Sequence, residues 1–421
     1  MNETNPGPAP ESPENPARGP LDGVLVADFS RVLAGPYATM LLADLGARVV
    51  KVERPGSGDD TRAWGPPFAD LGAGGEAAPE SAPEATYFLG VNRNKHSLAL
   101  DFTAPEDAAL ARELVRRADV VVENFLPGTM AKHGLGYEQV RELNPGLVYC
   151  SITGFGSGAG AGLPGYDLIV QAVGGLMSVT GEPGGSGTKV GVALVDVVTG
   201  LHAAFGIMAA LRHRERGGPG QRVEVSLLGS LLSGLSNHSS GYLAAGVVPG
   251  ALGNAHPSIA PYEVYRTADR PLVIAAGNDR QFGKLCTALG APELAADPRF
   301  AANRDRVAHR TELADALHRL LSSRGADAWF ATLSAAGVPC GPINDLAEAF
   351  TLAERLGLGA VAQIADPRRG RTLRQVAHPV AFSQTPARYR SAPPRLNEDG
   401  AELRRLLARY AEETAQRGDH R

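Results

Sequence analysis

The first half of the chain alternates short apolar runs with amphipathic helical segments, and this alternation constrains the fold more than any other feature of the sequence. Helical patterns occupy "GPYATMLLADLG", "APEDAALARELVRRA" and the region of "GYEQVRELNP". Around them lie runs typical of buried strands, namely "GVLVADFS", "ARVVKVERP", "SLALDF", "DVVVENF" and "LVYCSITGFG". Strands joined through a helix pair in parallel, because the helix returns the chain to the same end of the sheet. We therefore predict an α/β fold with a doubly wound, Rossmann-like parallel sheet.

The pattern changes after the predicted strand "QRVEVSL" and the helix "LGSLLSGLSNHSSGYLAAG". The stretch "YEVYRTADRPLVIAAGN" then predicts two strands joined by a polar turn, as in a smaller α+β domain. Residues 70–85 have the composition of a loop or disordered segment, and "GAELRRLLARYAEE" predicts a closing helix. The predicted parts are a disordered tail (1–19), a large Rossmann-like domain (20–225), a linker helix (226–250), a small α+β domain (251–340) and a C-terminal segment that returns to the large domain (341–421).

Composition and charge narrow the class of partner. Of the 421 residues 43% are hydrophobic, and the formal net charge is −4. No apolar run approaches the ~20 residues that span a bilayer, the N-terminal residues lack the pattern of a signal peptide, and no basic stripe suits nucleic acid. We expect a cytoplasmic protein that binds small molecules rather than nucleic acid or a membrane. Three widely spaced cysteines favour neither a disulfide framework nor a metal site.

Two glycine-rich segments match nucleotide-binding loops only in part. In "GFGSGAG", Pro164 and Gly165 follow where the helix of a dinucleotide site would begin. The segment "GEPGGSGTK" lacks the Gly-Lys-Ser/Thr ending of a phosphate loop. The sequence also contains neither a GxSxG elbow nor an HExxH motif, so it gives no local signature of a serine hydrolase or zinc protease.

One aspartate, Asp196, lies inside the apolar run "GVALVDVVTG". An aspartate before a helix most often caps it, and Asp196 precedes a helix that we predict to start near Thr199. Burying an acid for capping alone is costly, which favours a further role. We predict that Asp196 lies at a strand end, where the dipole of the following helix keeps its carboxylate ionised.

A series of longer segments resembles the family III CoA-transferases, the CaiB/BaiF family, in the same order over residues 21–385. The matching segments are "LDGVLVADFSRVLAGPYATMLLADLGARVVKVERPGSGDDTRAWGPPF", "NRNKHSLALDF", "ADVVVENFLPGTMAKHGLGYEQVRELNPGLVYCSITGFG", "LPGYDLIVQAVGGLMSVTGEP", "GVALVDVVTGLHAAFGIMAAL", "GNAHPSIAPYEVY", "IAAGNDRQF" and "GVPCGPIND". The resemblance implies the transfer of coenzyme A from an acyl-CoA donor to a carboxylic acid acceptor, with no permanently bound cofactor.

The resemblance places the family's catalytic carboxylate on Asp196. It implies that this side chain attacks the acyl-CoA thioester to give a mixed anhydride, which CoA thiolate converts to an aspartyl-CoA thioester. An acceptor carboxylate then repeats the exchange. A nucleophile of the same chemical class as the acceptor splits one difficult transfer into near-balanced steps.

The resemblance also implies a CoA site, carried over position by position. Its residues are Arg31, Val32, Leu33, Ala34, Arg54, Leu100, Asn124, Phe125 and Lys132. Backbone amides at the start of the first helix are expected to receive phosphate or adenine groups. A loop with Gly253, Asn254 and His256 is expected to close over the acyl-aspartyl intermediate, and Tyr166 is expected beside the substrate.

Alternatives remain within the same fold. The α-methylacyl-CoA racemases resemble this family but use "GHD", where this chain has Tyr166 and Asp167 in "GYD". A tyrosine, with an ordinary pKa of ~10, is a poor base at neutral pH. Asp167 is expected to orient Tyr166 or to cap the helix "LIVQAVGGL". A non-catalytic acyl-CoA-binding protein is the other alternative.

The resemblance further implies an interlocked homodimer. The pattern "HPSIAPY" is similar to that of transferases that act on dicarboxylates, such as succinyl-CoA:glutarate enzymes.

Overall fold

A computed structural model of the chain describes residues 19–69 and 83–418, in which strands and helices alternate over the first half of the sequence. The tail predicted over residues 1–19 lies outside the described residues apart from Gly19. The predicted loop over residues 70–85 lies outside them apart from its last three residues, of which Glu84–Ala85 form a short strand.

The strands are β1 (Leu25–Asp28), β2 (Arg48–Glu53), β3 (Phe68–Ala69), β4 (Glu84–Ala85), β5 (Lys95–Ala99), β6 (Val120–Glu123), β7 (Val148–Thr153), β8 (Gln221–Ser226), β9 (Tyr262–Tyr265), β10 (Leu272–Ala275), β11 (Cys340–Pro342), β12 (Val361–Asp366) and β13 (Arg371–Val376).

The helices are α1 (Ala34–Asp44), α2 (Thr86–Leu89), α3 (Pro105–Arg117), α4 (Thr129–Lys132), α5 (Tyr137–Leu143), α6 (Asp167–Val173), α7 (Leu176–Val179), α8 (Leu194–Glu215), α9 (Leu227–Gly234), α10 (Asn237–Ala245), α11 (Asp279–Ala288), α12 (Glu293–Ala296), α13 (Asn303–Ala308), α14 (Arg310–Leu321), α15 (Ala326–Ala335), α16 (Leu346–Arg355) and α17 (Gly400–Gly418). One 3₁₀ turn covers Asp60–Ala63.

Six strands form the predicted parallel sheet, in the order β5-β2-β1-β6-β7-β8. All neighbours in this sheet are parallel, as between Val26 and Val49 and between Val26 and Val120. Strands β1, β6 and β7 are buried almost throughout, which explains their almost continuous apolar sequences. The strand order reverses between β1 and β6, and ligands of open α/β sheets bind at such a reversal. The α/β class with a parallel sheet is therefore confirmed.

The described residues fall into two compact units. The second unit comprises Gly175–Gly191 and Asn237–Leu358, and the first unit comprises the rest. In the second unit β9 and β10 pair antiparallel across the polar turn seen in the sequence, and β11 joins the other side of β10. Phe282, Trp329 and Leu333 belong to the core beneath this small sheet.

The C-terminal part of the first unit contains a feature that the sequence reading did not predict, the antiparallel hairpin of β12 and β13. The closing helix α17 is present and packs against α3. Arg404 of α17 fixes this packing through an ion pair with Asp107, with Nη1 2.5 Å from Oδ1.

Two helix predictions are corrected by the structure. The single helix predicted after β8 is two helices, α9 and α10, separated by Ser236, whose φ of 42° interrupts the helical backbone. The apolar run before Asp196 is not a strand, because α8 begins at Leu194 rather than near Thr199. Short apolar runs fit a strand and a buried helix start equally well, and periodicity cannot separate them.

Helix α8 is the one described helix that is long and apolar enough to cross a membrane by length and composition. A core helix has the same properties, and α8 packs against α1, α9, β7 and β8. Its buried side includes Ala203, Ile207 and Leu211.

Candidate active site

The loop between β1 and α1 adopts an unusual backbone conformation. Val32 has a φ of 67°, in the left-handed region that a β-branched residue rarely occupies. The side chains of Asp59 and Asn124 hold the loop in this conformation. The Val32 N–H donates to both carboxylate oxygens of Asp59 at 3.3 Å. Asn124, just after β6, accepts from the Arg31 N–H at 2.8 Å and donates to the Arg31 carbonyl at 2.7 Å.

A buried charge network lies beneath this loop. The Lys51 ammonium contacts Asp59 at 2.8 Å and the Ser30 carbonyl at 2.9 Å. Burial alone would raise the pKa of Asp59, but the Lys51 charge and hydrogen bonds lower it to about 2. Lys95 pairs with Asp28 at 3.1 Å, and burial lowers the pKa of Lys95 to about 8 against the attraction of that carboxylate. The network therefore keeps Asp59 ionised as an acceptor for the loop.

A cavity of about 510 Å³ opens beside the loop. Four residues of the predicted CoA site line it: Arg31, Arg54, Leu100 and Phe125. The Arg31 guanidinium lies 5.2 Å from the centre of the Phe125 ring. Apolar walls with guanidinium groups beside them suit a flat aromatic base that carries phosphates. Lys132 ends α4 as an exposed residue, and its neighbours Met130 and His133 line the cavity in its place.

A second cavity, of about 290 Å³, contains Asp196. The other predicted residues on its wall are Arg31, Val32, Leu33, Ala34, Asn124, Phe125 and Tyr166. Arg31 and Phe125 line both cavities, so the two cavities are adjacent. Residues that are far apart in the sequence thus line two adjacent cavities, one with Arg54 on its wall and the other with Asp196.

Asp196 is the third residue of α8 and is partly buried. The predicted strand end is therefore wrong, and the surroundings of the side chain oppose the ionisation that the helix was expected to favour. Burial raises the pKa of the Asp196 carboxyl from its ordinary 3.8 to about 7, and the negative charge of Asp167 adds to the rise. The apolar surroundings and the neighbouring acid outweigh the helix dipole, which acts only over the first turn.

The Asp167 carboxylate accepts hydrogen bonds from the N–H groups at the start of α8, which would otherwise favour the ionised Asp196 side chain. Its Oδ1 accepts hydrogen bonds from the backbone N–H of Val195 at 2.8 Å and of Asp196 at 3.2 Å. Gln171 donates to Oδ2 at 2.6 Å. Asp167 begins α6, yet its carboxylate caps α8, which corrects the expectation that it caps its own helix. Tyr166 beside it is exposed.

Sequence reasoning missed Tyr87 of α2. Burial, and then the charges of Asp196 and Asp167, raise the pKa of the Tyr87 hydroxyl to about 12. The hydroxyl is therefore protonated near these carboxylates and can donate a hydrogen bond. The Trp64 ring meets the Tyr87 ring edge to face at 5.5 Å. No motif surrounds Tyr87, which follows a low-complexity segment, so the sequence carries no signal for it.

Gly253, Asn254 and His256 belong to the second unit, and Asp196 belongs to the first. The Gly253 N–H donates to the Gly181 carbonyl at 2.9 Å, and its φ of 59° suits glycine. The His256 N–H donates to the Tyr262 carbonyl at 3.0 Å, and Asn254 is exposed. Closure of this loop over the intermediate stays a prediction.

No group of His, Cys, Asp or Glu side chains that could hold a metal ion is found among residues 19–69 and 83–418. The three cysteines are free, with Cys150 and Cys286 buried.

Comparison with known proteins gives consistent matches along the chain. The profile of CoA-transferase family III matches residues 21–400. A succinate–glutarate CoA-transferase of Agrobacterium fabrum is 45% identical over 91% of this chain and 94% of its own length. An acetyl-CoA:oxalate CoA-transferase of Acetobacter aceti is 41% identical over 93% of this chain and 96% of its own. The crystal structure of a CaiB/BaiF family protein from Brucella suis, 44% identical, superposes with a TM-score of 0.80 and covers 93% of this chain and 100% of that one.

Proposed function

Because the chain belongs to CoA-transferase family III, we propose that it moves CoA from an acyl-CoA donor to a dicarboxylic acid through a covalent intermediate on Asp196. The observation that carries this proposal is the position of Asp196. It is a carboxylate on the wall of a cavity that shares Arg31 and Phe125 with the cavity of Arg54.

The proposed reaction begins when an Asp196 carboxylate oxygen attacks the thioester carbonyl. The carbon–sulfur bond breaks, which gives a mixed anhydride and CoA thiolate. The thiolate then attacks the Asp196 carbonyl carbon, forms an aspartyl-CoA thioester and releases the donor acid as its carboxylate. The acceptor carboxylate attacks this thioester to give a second anhydride and thiolate. Attack of the thiolate on the acceptor's acyl carbon yields the new acyl-CoA and free Asp196.

The surroundings of Asp196 support this role. A carboxylate whose pKa is about 7 is more basic, and so more nucleophilic, than an ordinary aspartate, and a substantial fraction is ionised at neutral pH. Tyr87, protonated nearby, can donate to an oxygen on which negative charge develops during each attack.

The CoA group is proposed to lie along the two adjacent cavities, with its phosphates near Arg31 and Arg54. The loop amides are a weaker choice than the sequence suggested. The N–H groups of Arg31 and Val32 already donate to Asn124 and Asp59. Guanidinium groups bind phosphate strongly through paired hydrogen bonds, so we assign the phosphates to Arg31 and Arg54.

The dicarboxylate class rests on the relatives, whose names specify succinate and glutarate in one case and oxalate in another. A homodimer is proposed as well. Helix α8 leaves Leu201, Phe205 and Met208 exposed, with Phe205 75% accessible, and such an apolar strip calls for cover.

The test is chemical trapping. The protein is incubated with succinyl-CoA, treated with hydroxylamine and digested, and the Asp196 peptide is examined by mass spectrometry for a hydroxamate. Asp196→Asn should give no adduct and no transfer to glutarate while still binding CoA. Glu138→Gln, which changes an exposed acid in the first turn of α5, is the matched control and should behave as the wild type.

Undiminished turnover by Asp196→Asn, or no wild-type adduct at Asp196, contradicts the mechanism. Exchange of the donor's α-proton with deuterated water in the absence of an acceptor would instead indicate a racemase. Binding of CoA with neither reaction would indicate a binding protein.

A further inference from the structure

The Asp167 carboxylate lies at the first turn of α8, the turn that carries Asp196. Asp196 lines the cavity, whereas its neighbour Asp167 is not among the described residues that line it. The Asp167 carboxylate is fixed by three hydrogen bonds, from the N–H groups of Val195 and Asp196 and from the Gln171 side chain. Gln171 is almost fully buried, so the arrangement is anchored in the interior.

This arrangement uses the helix N-terminus in an unexpected way. The first N–H groups of a helix normally stabilise a nearby anion. Here the Asp196 N–H and the preceding N–H both donate to Asp167. Asp196 thus has a second negative charge close by while its own helix end is already occupied.

The other charged and titratable groups around α8 and the cavity do not offset the negative charge of Asp167. The elements packed against α8 carry Tyr37 and Asp44 on α1, Tyr149 and Cys150 on β7, and Arg222 and Glu224 on β8, while α6 carries Asp167 itself and α9 carries none. His202 lies on α8 itself, Tyr87 on α2, and Arg31 and Asp60 on the cavity wall. Arg31 pairs with Asp60 at 3.2 Å, Arg222 pairs with Glu224 at 2.9 Å, and His202 contacts the Ser230 hydroxyl of α9 at 3.0 Å. Apart from burial, Asp167 is the group that acts on the Asp196 charge.

We propose that Asp167 is a positioning residue that orients Asp196 through the first turn of α8 and, by its charge, favours the acylated form of Asp196. The inference rests on the proposed covalent function of Asp196. Free Asp196 is an anion beside another anion. In the mixed anhydride and in the aspartyl-CoA thioester the Asp196 side chain is neutral, so the repulsion disappears when the acyl bond forms and returns when it breaks.

The same charge raises the basicity of Asp196. Without it Asp196 remains buried but becomes a weaker base, and each unit of pKa lost corresponds to ~10-fold in its protonation equilibrium. An Asp167 that only capped α8 would affect neither the protonation nor the acylation of Asp196. A positioning residue that acts through its charge and a residue that only caps α8 therefore predict different results when residue 167 is replaced by a neutral cap.

The test compares Asp167→Asn and Asp167→Ser with the wild type. Both variants keep an oxygen that accepts from the α8 N–H groups, and both remove the charge. Two quantities are measured. One is the pH at which kcat/KM for succinyl-CoA falls to half on the acid side. The other is the fraction of enzyme trapped as the Asp196 hydroxamate at a fixed ratio of succinyl-CoA to succinate.

The proposal predicts that the acid-side midpoint moves to lower pH, by about one unit, and that the trapped fraction relative to free enzyme falls about tenfold at high pH. The adduct that remains is still on Asp196. Asp167→Ala, which also removes the cap, should lose further activity. Glu138→Gln should leave both quantities unchanged.

An unchanged midpoint and trapped fraction in whichever neutral variant folds would overturn the proposal and leave Asp167 a structural cap. Loss of turnover without a shift of the midpoint would overturn it equally. Failure of the underlying function looks different, because the wild type itself would then give no Asp196 adduct.

Discussion

Replacement of Asp196 by asparagine should stabilise the protein at alkaline pH while it abolishes transfer. Burial, and then Asp167, raise the pKa of the carboxyl from 3.8 to about 7 on folding. A carboxyl with a raised folded-state pKa contributes stability in its protonated form, below about pH 4. That contribution is lost as pH rises through about 7, because the unfolded chain releases the proton first.

At ~1.36 kcal/mol for each unit of pKa, the wild type should be about 4 kcal/mol less stable than a neutral equivalent at pH 8, and about 2 kcal/mol less stable at pH 5, where only the unfolded chain is ionised. Asparagine has nearly the shape of the protonated acid and no charge. Asp196→Asn should therefore exceed the wild type in its free energy of unfolding by an amount that grows from pH 5 to pH 8.

Equilibrium unfolding in urea, followed by tryptophan fluorescence, measures this difference. The chain has two tryptophans, and Trp64 lies in the unit that holds Asp196 while Trp329 lies in the other. A Trp329→Phe background in both proteins confines the signal to the first unit. Equal differences at pH 5 and pH 8, or a less stable Asp196→Asn at pH 8, would refute the reasoning.

Three other substitutions test the framework around Asp196. Asn124→Ala removes both hydrogen bonds to the Arg31 backbone, each worth ~1 kcal/mol, so steady-state kinetics should show KM for acyl-CoA rising by up to ~30-fold. Arg54→Ala should raise the same KM about fivefold, leave kcat unchanged and weaken the salt dependence of binding, because it removes one phosphate contact. A salt dependence equal to that of the wild type would contradict that role. Lys51→Met leaves Asp59 buried without its cation and should lower the free energy of unfolding by ~3–5 kcal/mol in a urea titration; a loss below ~1 kcal/mol would show that the pair is not needed.

The parallel sheet was predictable because its strands carry their signal locally. Strands β1, β6 and β7 are buried on both faces and read as continuous apolar runs. The hairpin of β12 and β13 gave a weaker signal, since polar and apolar residues do not follow its alternation of exposed and buried positions: Asp366 is buried and Ala365 is exposed. Its pairing depends on contacts that short-range patterns do not encode.

The candidate site was likewise predictable only where its signal is local in the sequence. The segment around Asp196 was recognisable, but its secondary structure was not, because a four-residue apolar run before a helix suits a strand as well as a helix start. The contact between Asp167 and the N–H groups of α8 joins residues 28 and 29 positions apart, and the approach of Tyr87 to Asp196 spans a longer interval. Such contacts arise from packing, which pattern reasoning does not reach.

The raised pKa of Asp196 lowers the stability of the folded protein and also serves the proposed reaction. At pH 7 a carboxyl whose pKa is about 7 is roughly half ionised, so protonation would cost the proposed reaction only about a factor of two in ionised Asp196. In return each ionised Asp196 is a stronger base than an ordinary aspartate. The helix end that would have stabilised the anion is given to Asp167 instead. In the proposed reaction, the free energy withheld from the resting carboxylate is recovered when the acyl bond makes Asp196 neutral.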